Sequence, residues 1–399
     1  MLLVDVSITS HCVAPTGVQR VSRALLSELC ARNQGLPVCF DRWQGRWRTL
    51  NDSERRRLDA PSGAGFTDFR HRWSAVEVLG GVSSRILPGL AGRHRLPGGV
   101  FNGMLVPEKL ESRRREEILA IRERLSGASV AVFHDLIPIK FPDLATPRSR
   151  KEFSAYLDSL LCYDGIAAVS NASRRDLLAY WADRGVERRP PVETIAPGSG
   201  FFAAGGEAAE AGTERTPVIL IVATLEARKN HLAVLDACER LWNEGHVFAL
   251  TLVGRSTRDT GQRVLGRIRA LQSNARPVRW LGHVSDEAVR RQYQACRFTL
   301  QPSLYEGFGL PVLESLGFGK PCIVSGCGAL AETATGGGCH ILGDATSGAI
   351  ADAIRALLTD EPLYRRLVRE CRQRTFKDWS RYCEELVTWQ GSLRKRAVG

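Results

Sequence analysis

Phe298-Thr299-Leu300-Gln301-Pro302-Ser303-Leu304-Tyr305-Glu306-Gly307-Phe308-Gly309-Leu310-Pro311-Val312-Leu313-Glu314 passes from a short apolar strand through a glycine turn into a helix. Phe298–Gln301 has the length and composition of a strand buried on both faces. Gly307 and Gly309 permit a tight turn, and Pro311 suits the first helical turn, where its missing N–H costs nothing. A strand that turns into a helix from about Gly309 offers free N–H groups at the helix start, an anion seat fit for a phosphate. Working outward, the same alternation repeats. Strands are expected at Val218–Ala223, Ala249–Val253, Val278–Leu281 and Pro321–Val324, with helices over about Asn230–Glu244 and Asp286–Cys296. Strands interleaved with helices predict a parallel sheet covered on both faces.

The first half reads similarly but less completely. Leu2–Ser7, Ser129–Phe133, Gly165–Val169 and Val192–Ile195 read as strands, and Gly17–Cys30, Arg148–Leu161 and Ala172–Arg184 as helices. Residues 43–100 are rich in Arg, Gly and Trp and have no clear period, so no element is assigned there. The expected organisation is an N-terminal Rossmann-like domain over 1–203 and a Gly/Ala-rich linker over 204–216. A second Rossmann-like domain follows over 217–380, and then a C-terminal helix over 381–399, read as crossing back to the first domain.

At 399 residues the chain suits two domains, and 44% hydrophobic with 25% charged residues is ordinary for a globular protein. The N-terminus lacks a basic segment ahead of a long apolar run, and no stretch has the length of a spanning helix, so a cytoplasmic protein is expected. The 11 cysteines contain no C-x-x-C pair and read as reduced, buried thiols rather than a disulfide framework or metal site. A net charge of +12 raises the question of nucleic acid, but both halves share the excess. Arg55-Arg56-Arg57, Arg113-Arg114-Arg115 and Arg394-Lys395-Arg396 read first as solvated faces. The first two are also candidate contacts for an anionic membrane at the inner face of the cell envelope.

Two local patterns carry chemistry. Glu306 precedes the glycine turn and Glu314 lies eight residues on, inside the helix. A carboxylate there can accept hydrogen bonds from the hydroxyl pairs of a sugar or ribose. Taken alone, Glu306 reads equally well as a helix cap and Glu314 as a side chain on a solvated face. Thr224-Leu225-Glu226-Ala227-Arg228-Lys229-Asn230 follows the strand at 218–223. Two cations at a helix start oppose the helix dipole, so a bound anion explains them better than a surface pair does.

With those residues in place, the second half resembles the family 4 retaining glycosyltransferases of the GT-B fold over residues 217–380. It has their Arg-Lys-Asn turn at 228–230 and their pair of glutamates at Glu306 and Glu314. The resemblance implies two facing Rossmann-like domains with a deep interdomain cleft, the first domain, over 1–203, binding the acceptor. It implies that Arg228 and Lys229 hold the donor diphosphate, that Glu314 binds the nucleotide ribose and that Glu306 contacts the transferred sugar. Gly307, Phe308, Gly309 and Leu310 would form the donor seat. Many members carry a further Arg where this chain has Ala223. In the first half, Val132-Phe133-His134-Asp135 resembles the family segment whose His faces the donor sugar, which makes His134 and Glu306 the candidate catalytic residues. Pro15-Thr16-Gly17-Val18-Gln19-Arg20 looks like the loop near the phosphates, which adds Gly17 to the donor site.

The expected activity is therefore a retaining transfer of a hexose, first choice mannose from GDP-mannose, to a lipid-linked or polysaccharide acceptor of a surface glycan. No two aspartates lie two residues apart, which removes the D-x-D metal motif. No metal or cofactor is expected. The partners are a nucleotide-sugar donor and a glycan or lipid-linked acceptor, with no nucleic acid. The alternatives are a UDP-sugar or dTDP-rhamnose donor, or an epimerase or phosphorylase of the same fold. A dinucleotide oxidoreductase would want G-x-G-x-x-G after an early strand, where Gly17 stands alone. A nucleic-acid binder would not explain the placed glutamates.

Overall fold

The computed structural model describes residues 1–12, 16–41, 45–59, 94–109, 115–200, 216–258 and 260–396. The expected linker lies outside them except for Thr216, as do Pro15, Arg113, Arg114 and much of the unassigned stretch at 43–100. The chain forms two compact units, Met1–Gly198 with Lys377–Gly399, and Ser199–Phe376.

In the first unit, β1 (Leu2–Asp5), β2 (Gly35–Asp41), β3 (Arg46–Thr49), β4 (Gly103–Val106), β5 (Ser129–Phe133), β6 (Gly165–Ala168) and β7 (Val192–Thr194) form one sheet, ordered β3-β2-β1-β4-β5-β6-β7. All its pairings are parallel except the β2–β3 edge hairpin. That hairpin and β4 had no sequence signal strong enough to place them. Trp47 in β3 is buried and meets Phe40 edge-on with ring centroids 5.4 Å apart, so this Arg-rich edge folds around an aromatic pair. Leu3, Met104, Phe133, Ile166 and Trp181 lie in the core of this unit.

The last helix, Trp379–Ser392, packs on this first unit. Asp378 caps it by accepting from the Arg381 N–H at 2.7 Å. Gln390 donates to the Ala128 carbonyl at 2.8 Å, and a Cβ on Gly103 would lie 2.1 Å from the same Gln390 amide. Only glycine fits that approach. Beyond the helix, Lys395 donates to the Arg122 and Leu125 carbonyls, each at 2.8 Å, and the Arg396 N–H donates to Asp164 at 2.7 Å. The basic tail, expected as a solvated face, is thus a latch.

In the second unit, β8 (Val218–Val222), β9 (Ala249–Val253), β10 (Val278–Trp280), β11 (Phe298–Gln301), β12 (Cys322–Ser325) and β13 (Cys339–Leu342) form a wholly parallel sheet ordered β10-β9-β8-β11-β12-β13. The order reverses between β8 and β11, and their carboxyl ends are where the two chemical motifs begin. That is the topological switch point at which open α/β sheets bind ligands. β13 was not foreseen: Cys339-His340-Ile341-Leu342 has neither a strong alternation nor an apolar run.

All the cysteines are free thiols. Their expected burial holds for Cys39, Cys162, Cys238, Cys296, Cys322, Cys371 and Cys383, whereas Cys30 and Cys327 are exposed and Cys12 and Cys339 only half-buried. Among the described residues no helix is long and apolar enough to cross a membrane.

Candidate active site

The segment after β8 forms a single 3₁₀ turn, Ala227–Lys229, and then Asn230 adopts a left-handed conformation, φ 60°, before the helix His231–Asn243. Asn tolerates that backbone better than most residues, and its side chain donates to the Ala345 carbonyl at 2.7 Å. The turn is tied to the segment after β11. The Leu304 N–H donates to the Arg228 carbonyl at 2.9 Å, and the Arg228 guanidinium donates to the Tyr305 carbonyl at 2.7 Å. Sequence-distant motifs thereby become one site.

Glu306 is its hub. Its carboxylate meets Arg228 Nη1 at 2.8 Å and also pairs with the Lys229 ammonium, while Gln301 donates to it at 3.3 Å. Burial alone would raise its pKa, but the charges of Lys229 and Arg228 outweigh burial and hold it down at about 2. Arg228 also pairs with Glu226 at 2.6 Å. His231, buried at the base of the turn, is pushed down to about 3 by burial and by the Lys229 charge, so it stays neutral.

The glycine turn ends on Gly309, φ 96°, at the cap of the helix Leu310–Gly317. A Cβ there would lie 2.8 Å from Leu330 Cδ2, so both backbone and space require glycine. The Phe308 carbonyl accepts from Thr333 at 3.2 Å, and the Glu306 carbonyl from the Ala329 N–H at 3.3 Å. The Gly307–Leu310 seat is therefore braced from behind by the helix Ala329–Ala334.

Glu314 lies on the inner face of the Leu310–Gly317 helix and is 1% exposed. The Tyr293 hydroxyl donates to it at 2.9 Å, and the Tyr293 ring stacks on Phe318 at 5.3 Å. Tyr293, Gln301 and Glu226 escaped the sequence reading. Each is an ordinary residue in its own element, and only the fold brings it to a motif residue.

Gly17 and His134 belong to the first unit. Gly17 opens the helix Gly17–Ala31, whose start is closed by the Thr16 N–H donating to Gln19 at 2.7 Å. His134 follows β5. Its Nε2 lies 2.8 Å from the Pro107 carbonyl, and its own carbonyl accepts from the Ser173 hydroxyl at 2.7 Å. A carbonyl can only accept, so Nε2 carries the proton and Nδ1 remains an acceptor. Burial lowers the ring's pKa, which favours this neutral form.

A doubly wound parallel sheet with its ligand motifs at the switch point, in a chain with a second Rossmann-like unit, is the architecture of the GT-B glycosyltransferases. Residues 207–374 match the family described as glycosyl transferases group 1. It is 26% identical over 374 residues to the serotype-specific mannosyltransferase WbdA of Escherichia coli, covering 90% of this chain and 42% of WbdA. The chain thus spans less than half the length of that curated relative. It is 30% identical over 242 residues to the O-antigen chain mannosyltransferase B of E. coli, covering 56% of this chain and 57% of that protein. Among solved structures, sucrose-phosphate synthase from Thermosynechococcus elongatus superposes with a TM-score of 0.69 at 17% identity, covering 98% of each chain. HepE from Anabaena superposes at 0.66 and 14% identity, covering 98% of this chain and 99% of HepE.

Proposed function

We propose that this protein is a retaining, metal-independent glycosyltransferase that moves mannose from GDP-mannose to a lipid-linked or polysaccharide acceptor. The proposed setting is surface-glycan synthesis at the cytoplasmic face of the cell membrane, with Arg55-Arg56-Arg57 among the peripheral contacts. The observation that carries the reading is the joining of Arg228, Lys229 and Glu306 at the β8–β11 switch point. The likeness to O-antigen mannosyltransferases supports the choice of sugar.

As the glycosidic bond breaks, negative charge grows on the departing diphosphate. Positive groups already held in place there lower the barrier without reorganisation. Arg228 and Lys229 supply them, and Glu306, displaced from its cations by the diphosphate, is positioned to accept a hydroxyl of the sugar. Retention follows if the acceptor hydroxyl attacks from the face that the diphosphate leaves. The bond from the anomeric carbon to phosphate oxygen breaks, the bond to the acceptor oxygen forms, and the acceptor proton passes to a phosphate oxygen. Neutral His134 contributes Nδ1 as an acceptor for a sugar hydroxyl, and Glu314 holds the ribose.

A thermal-shift and donor-hydrolysis screen across GDP-mannose, UDP-sugars and dTDP-rhamnose tests this, with EDTA present and Lys229→Ala and Glu314→Ala alongside. GDP-mannose is expected to stabilise the wild type and neither variant. A different preferred donor would replace the mannose assignment, and a requirement for divalent metal would overturn the metal-free one. NMR of the product's anomeric centre decides retention.

A further inference from the structure

β8 and β9 end side by side, and their register continues past both ends. Val222 pairs with Val253, and an isolated bridge joins Leu225 to Ser256. Gly254 therefore lies opposite Ala223, and Arg255 opposite Thr224. The approach is close: Gly254 takes φ 143°, and a Cβ on it would lie 2.0 Å from the Ala223 carbonyl oxygen. The Leu225 N–H donates to the Arg255 carbonyl at 2.8 Å, which pins Arg255 beside the segment leading into the Arg228–Lys229 turn. Arg255 is half-buried. Its charge reaches His283, just past β10, whose pKa is lowered by burial and further by this guanidinium. Arg255 thus stands at the carboxyl edge of the sheet, near the ends of β8, β9 and β10.

The turn itself has no positive charge to spare. Arg228 pairs with both Glu226 and Glu306, and Lys229 pairs with Glu306, so two cations face two carboxylates. A nucleoside diphosphate ester brings about two negative charges, and the released diphosphate about one more. Ala223, at the end of β8, adds none. A further cation at this edge, reaching the same anion from a neighbouring strand, would complete the charge balance.

We propose that Arg255 is that cation: it binds the diphosphate of the donor from the end of β9, opposite Arg228 and Lys229. The assignment rests on the nucleotide-sugar reading above. A guanidinium suits it because its planar fork meets two phosphate oxygens at once, whereas an ammonium meets them as a point charge.

Calorimetric titration with GDP, GMP and guanosine tests the assignment on wild type, Arg255→Gln, Arg255→Lys and Lys229→Ala. The set is repeated with UDP and UMP, and thermal unfolding confirms that each variant is folded. Arg255→Gln is expected to weaken diphosphate binding about 10–100-fold and monophosphate binding much less. Arg255→Lys should recover part of the loss, and it keeps the test open if the glutamine variant does not fold. If Lys229→Ala is impaired and Arg255→Gln binds GDP like the wild type, Arg255 has no such role and the donor site stands. Equal losses for GDP and GMP would place Arg255 on the base or ribose and overturn the assignment. A wild type that binds no nucleoside diphosphate overturns both this assignment and the reading beneath it.

Discussion

Glu54 in the first unit and Glu306 in the second are both buried carboxylates gripped by arginine, and they behave as different kinds of object. Glu54 is fully enclosed. Arg48 meets it with two nitrogens at 2.7 and 2.8 Å, the Asn51 N–H donates to it at 2.8 Å, and His11 lies 3.1 Å away. Asp41 then takes the remaining Arg48 Nε at 3.1 Å. Burial pushes the Glu54 pKa up, but these partners win and hold it far below the usual carboxylate range. Glu306 draws its cations from a single turn, and they keep contact with solvent, with side chains 16% exposed at Arg228 and 12% at Lys229. Enclosure makes the first cluster a rivet. The cations of the second cluster stay within reach of solvent and of an incoming phosphate, which is what a binding site requires.

Arginine deletion is the sharpest way to break that contrast. Arg48→Ala leaves Glu54 charged, buried and short of its main partner, and should cost about 3–5 kcal/mol of stability in denaturant unfolding. Arg228→Ala should cost less, about 1–2 kcal/mol, because Lys229 still pairs with Glu306 and both cations keep some contact with solvent. Equal losses would mean that the Glu306 cluster is structural as well.

Lys229→Ala reverses the test. Its stability should fall by only about 1–2 kcal/mol, while kcat/KM for sugar transfer falls about 10²–10³-fold through loss of a charge aimed at the leaving group. Steady-state kinetics beside a melting curve separates the two effects. A fall in rate that merely tracks unfolding would count against a role at the phosphates.

The same contrast explains what could be read in advance. The Glu306 site was legible because its residues lie in two short segments, 224–230 and 302–314, each set directly after a recognisable strand. Most of the second unit's sheet was legible for the same reason: β8, β9, β11 and β12 are short, buried, mainly apolar runs, whereas β13 is not. The Glu54 network draws on His11, Asp41, Arg48 and Asn51 from separate segments, and Arg48 and Asn51 lie in a stretch whose Arg and Trp content hides the period. Arg48, in a stretch to which no element was assigned, lies in the edge strand β3, buried and paired with carboxylates on two sides. No local pattern reveals that, because the partners are chosen by the fold.

Acid titration sharpens the comparison at a single atom group. The folded-state pKa of Glu306, about 2, lies below the ordinary 4.5. Its contribution to stability is therefore complete above the unfolded value and is lost as pH falls from about 4.5 toward 2. Glu306→Gln lacks that term, so the difference between wild type and variant should shrink by about 2–3 kcal/mol across this window. Glu54 titrates lower in both proteins and drops out of the difference. At neutral pH the same variant releases Arg228 and Lys229 from the Glu306 charge, so GDP should bind at least as tightly while sugar transfer falls. A pH-independent difference would show that the three groups are not coupled as their geometry requires.

The smallest expected effect concerns the second glutamate. Tyr293→Phe keeps the ring stacked on Phe318 and removes only the hydroxyl that donates to Glu314. The loss of one hydrogen bond to a buried carboxylate should lower stability by about 1–2 kcal/mol. If the hydroxyl also aims Glu314 at a ribose, GDP should lose more affinity than 2′,3′-dideoxy-GDP, which offers no hydroxyl pair. If the tyrosine only fills space, both ligands should bind the variant as they bind the wild type. A glutamate buried beneath its helix serves a ligand only when something holds it in the right rotamer. Tyr293, arriving from the neighbouring helix, is the group placed to do so.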